Sequence, residues 1–459
     1  MASPAPTEIG WLPDCVYTDG KFESGLAFFA DDLGRITRFS REPADLAAAR
    51  RLSGQAALPG LVNSHSLAFQ RVFRGRDRRV ASPWRETVRQ VAARLSAEAV
   101  YDAARMAFLE MLLGGITCVG EFHTLVRPPE GASPPEPDLL GREVIRAARS
   151  TGIRIALLRV ACARGGFRQP AAPAQGPFLT PTAEQFVRET EALRQFAAGI
   201  RPGDEAWVGV GIDGLDTVPL DYLRAVAAYA HTQRLRLHLS LSASSADPEA
   251  CFAEYGRSPV ALLAQHGLLD KRFTAVHAAR ASEEDIRLLG AARAIVCACP
   301  SWARNLGEGP TPASQLLAAG AGLSLGTAGA LQIDLWEDAR LLAPHLRPAT
   351  GGQRPHSPEV AQPLFYAATV TGARSLGGPG GALEVGRPAD FFTANLFDPS
   401  LAGAEPDALL GNLLFSPARR AVRDVWIGGR QRIASGRHAD QGAIVGRFVE
   451  QQQRLWAQS

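Results

Sequence analysis

Residues 58–71 read Leu58-Pro-Gly-Leu-Val-Asn-Ser-His65-Ser-Leu67-Ala-Phe-Gln-Arg71, and this stretch decides the fold. It begins as an apolar strand and ends in a His-x-Leu pair. Alternate residues on a strand point to one face, so two histidines at this spacing can hold one metal ion. Here the second position is Leu67, whose side chain has no lone pair. Half of a metal-binding pair is therefore missing at this strand end.

The composition limits the class of protein. The chain has 459 residues, of which 46% are hydrophobic, and this suits one α/β barrel with a smaller companion domain. Its net charge of +3 gives no reason to expect a nucleic-acid partner. Six scattered cysteines, a start unlike a signal peptide and the lack of a long apolar run predict a reduced, cytoplasmic protein that does not enter a membrane.

Strand-like and helix-like stretches alternate about eight times along the middle of the chain. Several of the strand-like stretches, such as 153–160 and 206–211, are apolar on both faces, as buried parallel strands are. Short alternating runs with turn signals occupy the two ends of the chain and predict small antiparallel strands there. The pattern predicts an α/β protein built on a (β/α)8 TIM-like barrel, with its functional residues where the barrel strands end.

Several segments resemble the formimidoylglutamate deiminases of the amidohydrolase superfamily. Besides residues 58–71, they are Trp84-Arg85-Glu86, Glu121-Phe-His123, Asn305-Leu-Gly307 and Ile333-Asp-Leu-Trp-Glu337. The resemblance extends over nearly the whole chain. It implies a barrel over 59–384, one β-sandwich domain composed of 1–58 and 385–459, and a homodimer.

The resemblance also assigns metal-ligand positions, and the chain departs from them. Leu67 and Ser240 stand where the family has histidines, and Ala328 stands where it has an aspartate. A further departure is Ala243, where the family has a catalytic glutamate. Because a zinc hydrolase needs about three protein ligands and a site for water, we expect no metal and no other cofactor.

In the substrate pocket that the resemblance implies, this chain has negative charge where the family has positive charge. Asp216 stands where the family has a carboxylate-binding arginine, and Asp213 replaces a histidine, whereas Arg85 is retained. Two carboxylates at one strand end favour a cationic or amine-bearing ligand, or an acid/base pair. The alternative is that they cap the loop or the helix that starts near Pro219.

These matches define the candidate site. We assign acid/base catalysis to five residues: His65, His238, His277, Asp213 and Asp216. We assign substrate binding to a second set: Gln70, Arg85, Glu121, His123, Thr124, Ser240 and Asn305. Two alternatives stay open, since a histidine on an apolar strand commonly has a structural role and the Glu-Phe-His segment can serve packing alone.

Two functions of different class fit these residues. In the first, the chain is a metal-independent enzyme that acts on a small nitrogenous metabolite of the amine or amidine type. In the second, it is a catalytically inactive relative of the deiminases that binds a small-molecule ligand or a partner protein. A polar cavity lined by Asp213, Asp216 and His277 would favour the enzyme, and one filled by Leu67 and its neighbours would favour the binding protein. The new polar residues favour the enzyme.

Overall fold

The computed structural model describes residues 8–76, 84–128, 138–199, 206–241, 246–346, 358–416 and 421–457. Within these ranges the strands form two sheets. In chain order the strands are β1 (Ile9–Thr18), β2 (Lys21–Ser24), β3 (Ala27–Ala30), β4 (Ile36–Ser40), β5 (Arg50–Pro59), β6 (Leu61–Ser66), β7 (Ile116–His123), β8 (Arg154–Ala161), β9 (Ala206–Ile212), β10 (Leu237–Leu241), β11 (Phe273–His277), β12 (Ile295–Ala298), β13 (Gly322–Leu325), β14 (Phe391–Asn395), β15 (Val422–Ile427), β16 (Arg430–Ala434) and β17 (Arg437–His438).

Helices cover the barrel and connect its strands. None of the described helices is both long enough and apolar enough to cross a membrane. Short 3₁₀ segments cover Ala68–Phe73, Pro173–Phe178 and Ala343–His345. The α-helices are α1 (Pro43–Ala48), α2 (Trp84–Ala92), α3 (Ala97–Leu113), α4 (Leu139–Thr151), α5 (Ala183–Ala198), α6 (Leu220–Thr232), α7 (Ala246–Tyr255), α8 (Pro259–Gln265), α9 (Glu283–Ala291), α10 (Pro300–Leu306), α11 (Ala313–Ala318), α12 (Leu335–Leu342), α13 (Pro358–Ala367), α14 (Val370–Leu376), α15 (Pro406–Phe415) and α16 (Gln441–Ala457).

Strands β6 to β13 form a parallel eight-stranded barrel in which neighbours in sequence are neighbours in space. The seam between the first and last strands closes through backbone bonds: the His65 carbonyl accepts from Thr327 N at 3.0 Å and from Ala328 N at 2.9 Å. The predicted (β/α)8 fold is confirmed. Most barrel strands are buried along their whole length, because helices cover the outside and side chains fill the lumen.

The amino-terminal end of the barrel is closed by helix α14. Ala373 and Leu376 of this helix pack against lumen residues of the first three barrel strands, among them Val62 and Phe122. A methyl group at Gly372 would lie 3.0 Å from the Val62 Cβ, so the helix approaches the first strand closely. This apolar plug leaves the carboxyl ends of the strands as the open end of the barrel.

The second sheet combines both ends of the chain, as the resemblance implied. Its order is β17-β16-β15-β14-β5-β1-β3-β4, with β2 paired to β1. Strand β5 is antiparallel to β14 and parallel to β1, so it joins the carboxyl-terminal strands to the amino-terminal ones. Aromatic rings form part of its core. Phe391 stacks on Trp426 with ring centroids 4.6 Å apart and meets Trp11 edge-on at 5.3 Å.

A buried ion pair ties this sheet to the barrel. Arg154 at the start of β8 donates to both carboxylate oxygens of Asp390, at 2.6 and 3.0 Å, just before β14. Gly428 N donates to the same carboxylate at 2.7 Å. Both side chains of the pair are almost fully buried, so each charge depends on the other for compensation.

We expect Asp390→Ala to lower the free energy of unfolding by about 3–5 kcal/mol, because it leaves the Arg154 charge buried without its partner. Urea denaturation of the purified variant measures the loss. The matched control is Glu284→Ala, which removes an exposed ion pair with Arg287 and should cost no more than about 1 kcal/mol. Equal losses in the two variants would contradict this role of the Arg154–Asp390 pair.

Candidate active site at the carboxyl ends of the barrel strands

The barrel seam brings the first and last strand ends together. Leu67 N donates to the Ala328 carbonyl at 2.8 Å, and Ser66 and Ala328 form a parallel bridge. Two of the positions that the resemblance assigns to metal ligands therefore lie side by side. Ala328 has a φ of 46°, and Ala330 one of 52°, so this turn keeps a left-handed backbone without glycine at either position.

The seam is filled by apolar side chains. Leu67 packs against a cluster of buried residues made up of Val276, Cys297, Cys299, Trp302 and Ala328. Leu67 also contacts the lumen cluster that contains Phe122. In the part of the chain that the structure describes, no group of three or more His, Cys, Asp or Glu side chains is placed to hold a metal ion. The residues present do not fit the family's metal centre, because leucine and alanine supply no donor atom.

His65 and His277 meet at the open end of the lumen, with ring centroids 5.9 Å apart. The Nδ1 atom of each ring is buried and has no hydrogen-bond partner among the described residues. Burial lowers the pKa of His277 to about 4, with a further contribution from the Arg85 charge. Burial also lowers the pKa of His65 well below its ordinary value. Both rings are therefore neutral near pH 7, so they are poor general acids.

His238 lies deeper in the lumen, where it has a structural contact. Its Nε2 is 2.9 Å from the Ser375 carbonyl of helix α14, at the closed end of the barrel. Burial lowers its pKa to about 4, against the opposing effect of this hydrogen bond. This position favours a structural role for His238, the alternative that the sequence left open, over acid/base catalysis at the open end of the barrel.

A polar cleft lies beside the apolar cluster, at the end of strand β9. It is lined by Asp213, Asp216, Arg85 and Ser240, together with apolar residues such as Phe167. The cavity measures about 30 Å³, enough for about two water molecules. His277 does not line it. The polar cavity framed from the sequence is therefore found only in part, because Asp213 and Asp216 line the cleft and His277 does not. The other possibility, a region filled by Leu67 and its neighbours, is found at the barrel seam.

The turn after β9 sets the geometry of the two carboxylates. Asp216 Oδ1 lies over Gly214, where a Cβ would approach it to 2.3 Å, so only glycine fits there without rearrangement. Arg164 fixes the turn from the neighbouring strand end, because its Nε donates to the Asp216 carbonyl at 2.7 Å and its Nη2 to the Leu215 carbonyl at 3.1 Å. The sequence analysis missed Arg164, although a basic residue three positions after a barrel strand was a signal for it.

Charge is partly balanced inside the cleft. Arg85 Nη1 lies 4.0 Å from Asp216 Oδ2, so the retained arginine and the new aspartate face each other. Desolvation and the Asp216 charge raise the pKa of Asp213 to about 6, and Arg85 and Arg89 oppose this rise. Asp213 is exposed to solvent, so water screens both charges and the rise in its pKa is smaller than full burial would produce. A carboxyl group whose pKa moves toward neutrality is suited to proton transfer.

Glu121 and His123 do not point into the cleft. The lumen residue of this segment is Phe122, and alternate residues on a strand face opposite sides. Glu121 Oε1 accepts from Ala68 N at 2.7 Å, while His123 Nε2 lies against Gly141 of helix α4, on the outside of the barrel. These two residues pack in the barrel wall, which agrees with the alternative that the Glu-Phe-His segment serves packing alone.

The other predicted binding residues occupy three environments. Thr124 follows β7 and is buried, and its hydroxyl has no partner among the described residues. Gln70 is buried against the turn after β13, where a Cβ on Gly329 would lie 2.5 Å from its Oε1. Asn305 is exposed on helix α10. Ala243 lies outside the described residues. Only Arg85 and Ser240 of the predicted binding set line the cleft with the aspartates.

Known proteins resemble this chain over almost its whole length. Residues 56–432 match the model of the amidohydrolase family. The chain is 34% identical to formimidoylglutamate deiminase from Pseudomonas aeruginosa, over 89% of this chain and 91% of that protein. It is 30% identical to 8-oxoguanine deaminase from the same organism, over 93% of this chain and 94% of that protein.

Solved structures share the fold. An amidohydrolase from Brucella melitensis superimposes with a TM-score of 0.86 at 26% identity, covering 97% of this chain and 99% of that one. Atrazine chlorohydrolase from Arthrobacter aurescens, crystallised with zinc, superimposes with a TM-score of 0.80 at 25% identity, covering 97% of this chain and all of that one. The relatives are hydrolytic or deaminating proteins by name, and their fold agrees with the barrel described above.

Glu121→Gln tests the supporting role of this carboxyl group. Burial raises the pKa of Glu121 from 4.5 to about 8. A raised folded-state pKa contributes stability at low pH that is lost as the pH rises from about 4.5 to about 8. Glutamine has the same shape and does not titrate, so the variant should gain unfolding free energy relative to the wild type across this window. Urea denaturation at about pH 5 and about pH 8.5 measures the difference, and a difference that does not change with pH would contradict the assignment.

Proposed function

Because the chain belongs to the amidohydrolase family, we propose that it is an enzyme acting on a small nitrogenous metabolite that bears an amine, amidine or guanidine group, and that it works without the family's metal centre. The observation that carries this proposal is the cleft in which Asp213, Asp216 and Arg85 converge at the end of β9. The names of the relatives, formimidoylglutamate deiminase and 8-oxoguanine deaminase among them, support the substrate class.

The proposed roles follow from charge and position. Asp216 accepts hydrogen bonds from the cationic nitrogen group, because a charge-assisted bond of this kind contributes about 1.5–3 kcal/mol. Arg85, which is two-thirds exposed and 4.0 Å from Asp216, releases that carboxylate and binds an acidic group at the other end of the ligand. Because the cleft measures only about 30 Å³, the proposal requires it to widen when Arg85 leaves Asp216.

Asp213 is the proposed acid/base residue. Desolvation and the neighbouring Asp216 charge raise its pKa above the ordinary value of an aspartate, and exposure to solvent reduces this rise, so the ionised carboxylate is a stronger base than an isolated surface aspartate. It removes a proton from the water that attacks the amidine or guanidine carbon, and returns the proton to the departing nitrogen. Neutral His277 and His65 do not supply a proton in this scheme, and neither ring lines the cleft.

A second function is favoured by a different observation. Leu67 and the cluster around Trp302 fill the place where the family's chemistry occurs. This filling favours a binding protein that holds the same class of ligand without converting it. Under either function we propose a cytoplasmic homodimer that binds neither nucleic acid nor membrane, and light scattering tests the dimer.

We expect protein purified without chelator to carry far less than one zinc or iron ion per chain. Leu67, Ser240 and Ala328 leave too few donors for a tetrahedral site. Elemental analysis measures the content. Stoichiometric metal that disappears in His65→Gln or His277→Gln would contradict the prediction, because it would place a metal between these two rings.

The charge of the ligand gives the next prediction. Agmatine, arginine and 4-guanidinobutyrate serve as guanidinium probes, and glutarate serves as a probe with carboxylates alone. We expect at least one guanidinium probe to raise the thermal midpoint of the wild type, and we expect neither glutarate nor formimidoylglutamate to bind. Asp216→Asn should weaken probe binding about tenfold or more, since it removes one charge-assisted contact.

The matched control is Asp221→Asn, which makes the same change on the exposed first turn of helix α6. Equal effects of the two substitutions, or turnover of formimidoylglutamate, would contradict the proposed ligand class. Mass spectrometry of each bound compound then separates the two functions. Conversion that Asp213→Asn slows by about 10²–10⁴-fold supports the enzyme, and bound compounds that are never converted support the binding protein.

A further inference from the structure

A second cavity lies at the amino-terminal end of the barrel, away from the candidate site. It is a groove of about 690 Å³ between helices α5 and α6, at the start of strands β9 and β10. We call it the basic groove, after the four arginines in its lining: Arg194, Arg234, Arg236 and Arg272. Its size is that of a site for a small organic molecule. Nothing in the proposed function uses it.

Two of the four arginines are held in place by neighbouring groups. Arg194 Nη1 bonds Glu191 at 2.6 Å and the Gln233 amide oxygen at 3.1 Å. Arg272 pairs with Asp270 at 3.2 Å, and its Nη2 lies 2.8 Å from His231 Nδ1. These contacts fix the side chains, so the groove offers positioned donors rather than mobile surface arginines.

Arg236 carries the charge that is not balanced. It is half-buried and donates to the Lys271 carbonyl at 3.2 Å, but it forms no ion pair with an acidic side chain of the described residues. Burial and the charges of Arg272 and Arg374 lower its pKa, with Asp270 opposing them. A guanidinium stays protonated in proteins. Arg236 is therefore a cation that lies near two further cations, Arg272 and Arg374. The lining of the basic groove contains four arginines and one glutamate.

The floor of the groove is apolar, and close contacts with two glycines fix its shape. Trp207 donates from Nε1 to the Leu376 carbonyl at 2.7 Å and packs on Gly378, where a Cβ would come within 2.8 Å of its ring. Gly377 has a φ of 72°, and a Cβ there would lie 3.1 Å from Arg236 Nε. Because both residues of this turn lack a side chain, the Trp207 ring and the Arg236 guanidinium can both pack against it.

We propose that the basic groove binds a small, multiply charged anion, either a phosphorylated metabolite or a polycarboxylate, through Arg236, Arg234 and Arg272. Guanidinium groups match phosphate and carboxylate oxygens in geometry and charge. The flat floor at Trp207 receives the organic part of the ligand. The site is independent of the proposed enzyme activity, since it lies at the other end of strand β10 from Ser240.

Calorimetric titration of the full chain with pyrophosphate and with citrate tests the proposal. We expect at least one of the two probes to bind the wild type. Tighter binding of pyrophosphate would indicate a phosphorylated ligand, and tighter binding of citrate would indicate a polycarboxylate. Arg236→Gln should weaken binding about tenfold or more, because it removes a charge-assisted contact. Arg234→Gln, at an exposed position where folding is not at risk, should weaken it several-fold as well.

The control is Arg454→Gln on helix α16, which lowers the net charge equally at a site that is 63% exposed and remote from the groove in the chain. Equal weakening in the control and the groove variants would overturn the proposal, because it would mean non-specific attraction. Lack of binding to the wild type at millimolar concentration would also overturn it.

Discussion

The closure of the barrel between its first and last strands is the constraint on which the site depends. The His65 carbonyl accepts two backbone bonds from Thr327 and Ala328, and Asn63 bonds both the hydroxyl and the amide of Thr327, at 2.8 and 3.1 Å. This seam fixes Leu67 beside Ala328 whatever their side chains are. The backbone at these strand ends is thus held by bonds that do not involve the side chains of Leu67 and Ala328.

The backbone is also unusual at two of the strand ends. Left-handed residues occur there, with a φ of 71° at His277 and 46° at Ala328. Such conformations persist only where surrounding structure determines them, and they cluster at functional sites. The seam is filled by apolar packing around Leu67, while charge is concentrated beside it at Asp213 and Asp216.

The sequence was sufficient for the fold because the first-strand segment and the alternation of elements are local signals. It also placed Asp213 and Arg85 near each other, through the family match. It did not predict that Arg85 faces Asp216 at 4.0 Å, or that residues around 194–236 build a basic groove, because both depend on contacts between distant segments. The outward direction of Glu121 could have been read from the sequence, since its neighbour Phe122 is the apolar residue that suits the lumen.

Zinc titration by calorimetry tests most directly whether three side chains separate this barrel from a metal centre. The wild type is compared with a variant in which Leu67→His, Ser240→His and Ala328→Asp restore the donor atoms beside His65. We expect no stoichiometric binding to the wild type and one zinc ion per chain for the variant. Tight binding of one zinc ion by the wild type, abolished by His65→Gln, would contradict this expectation.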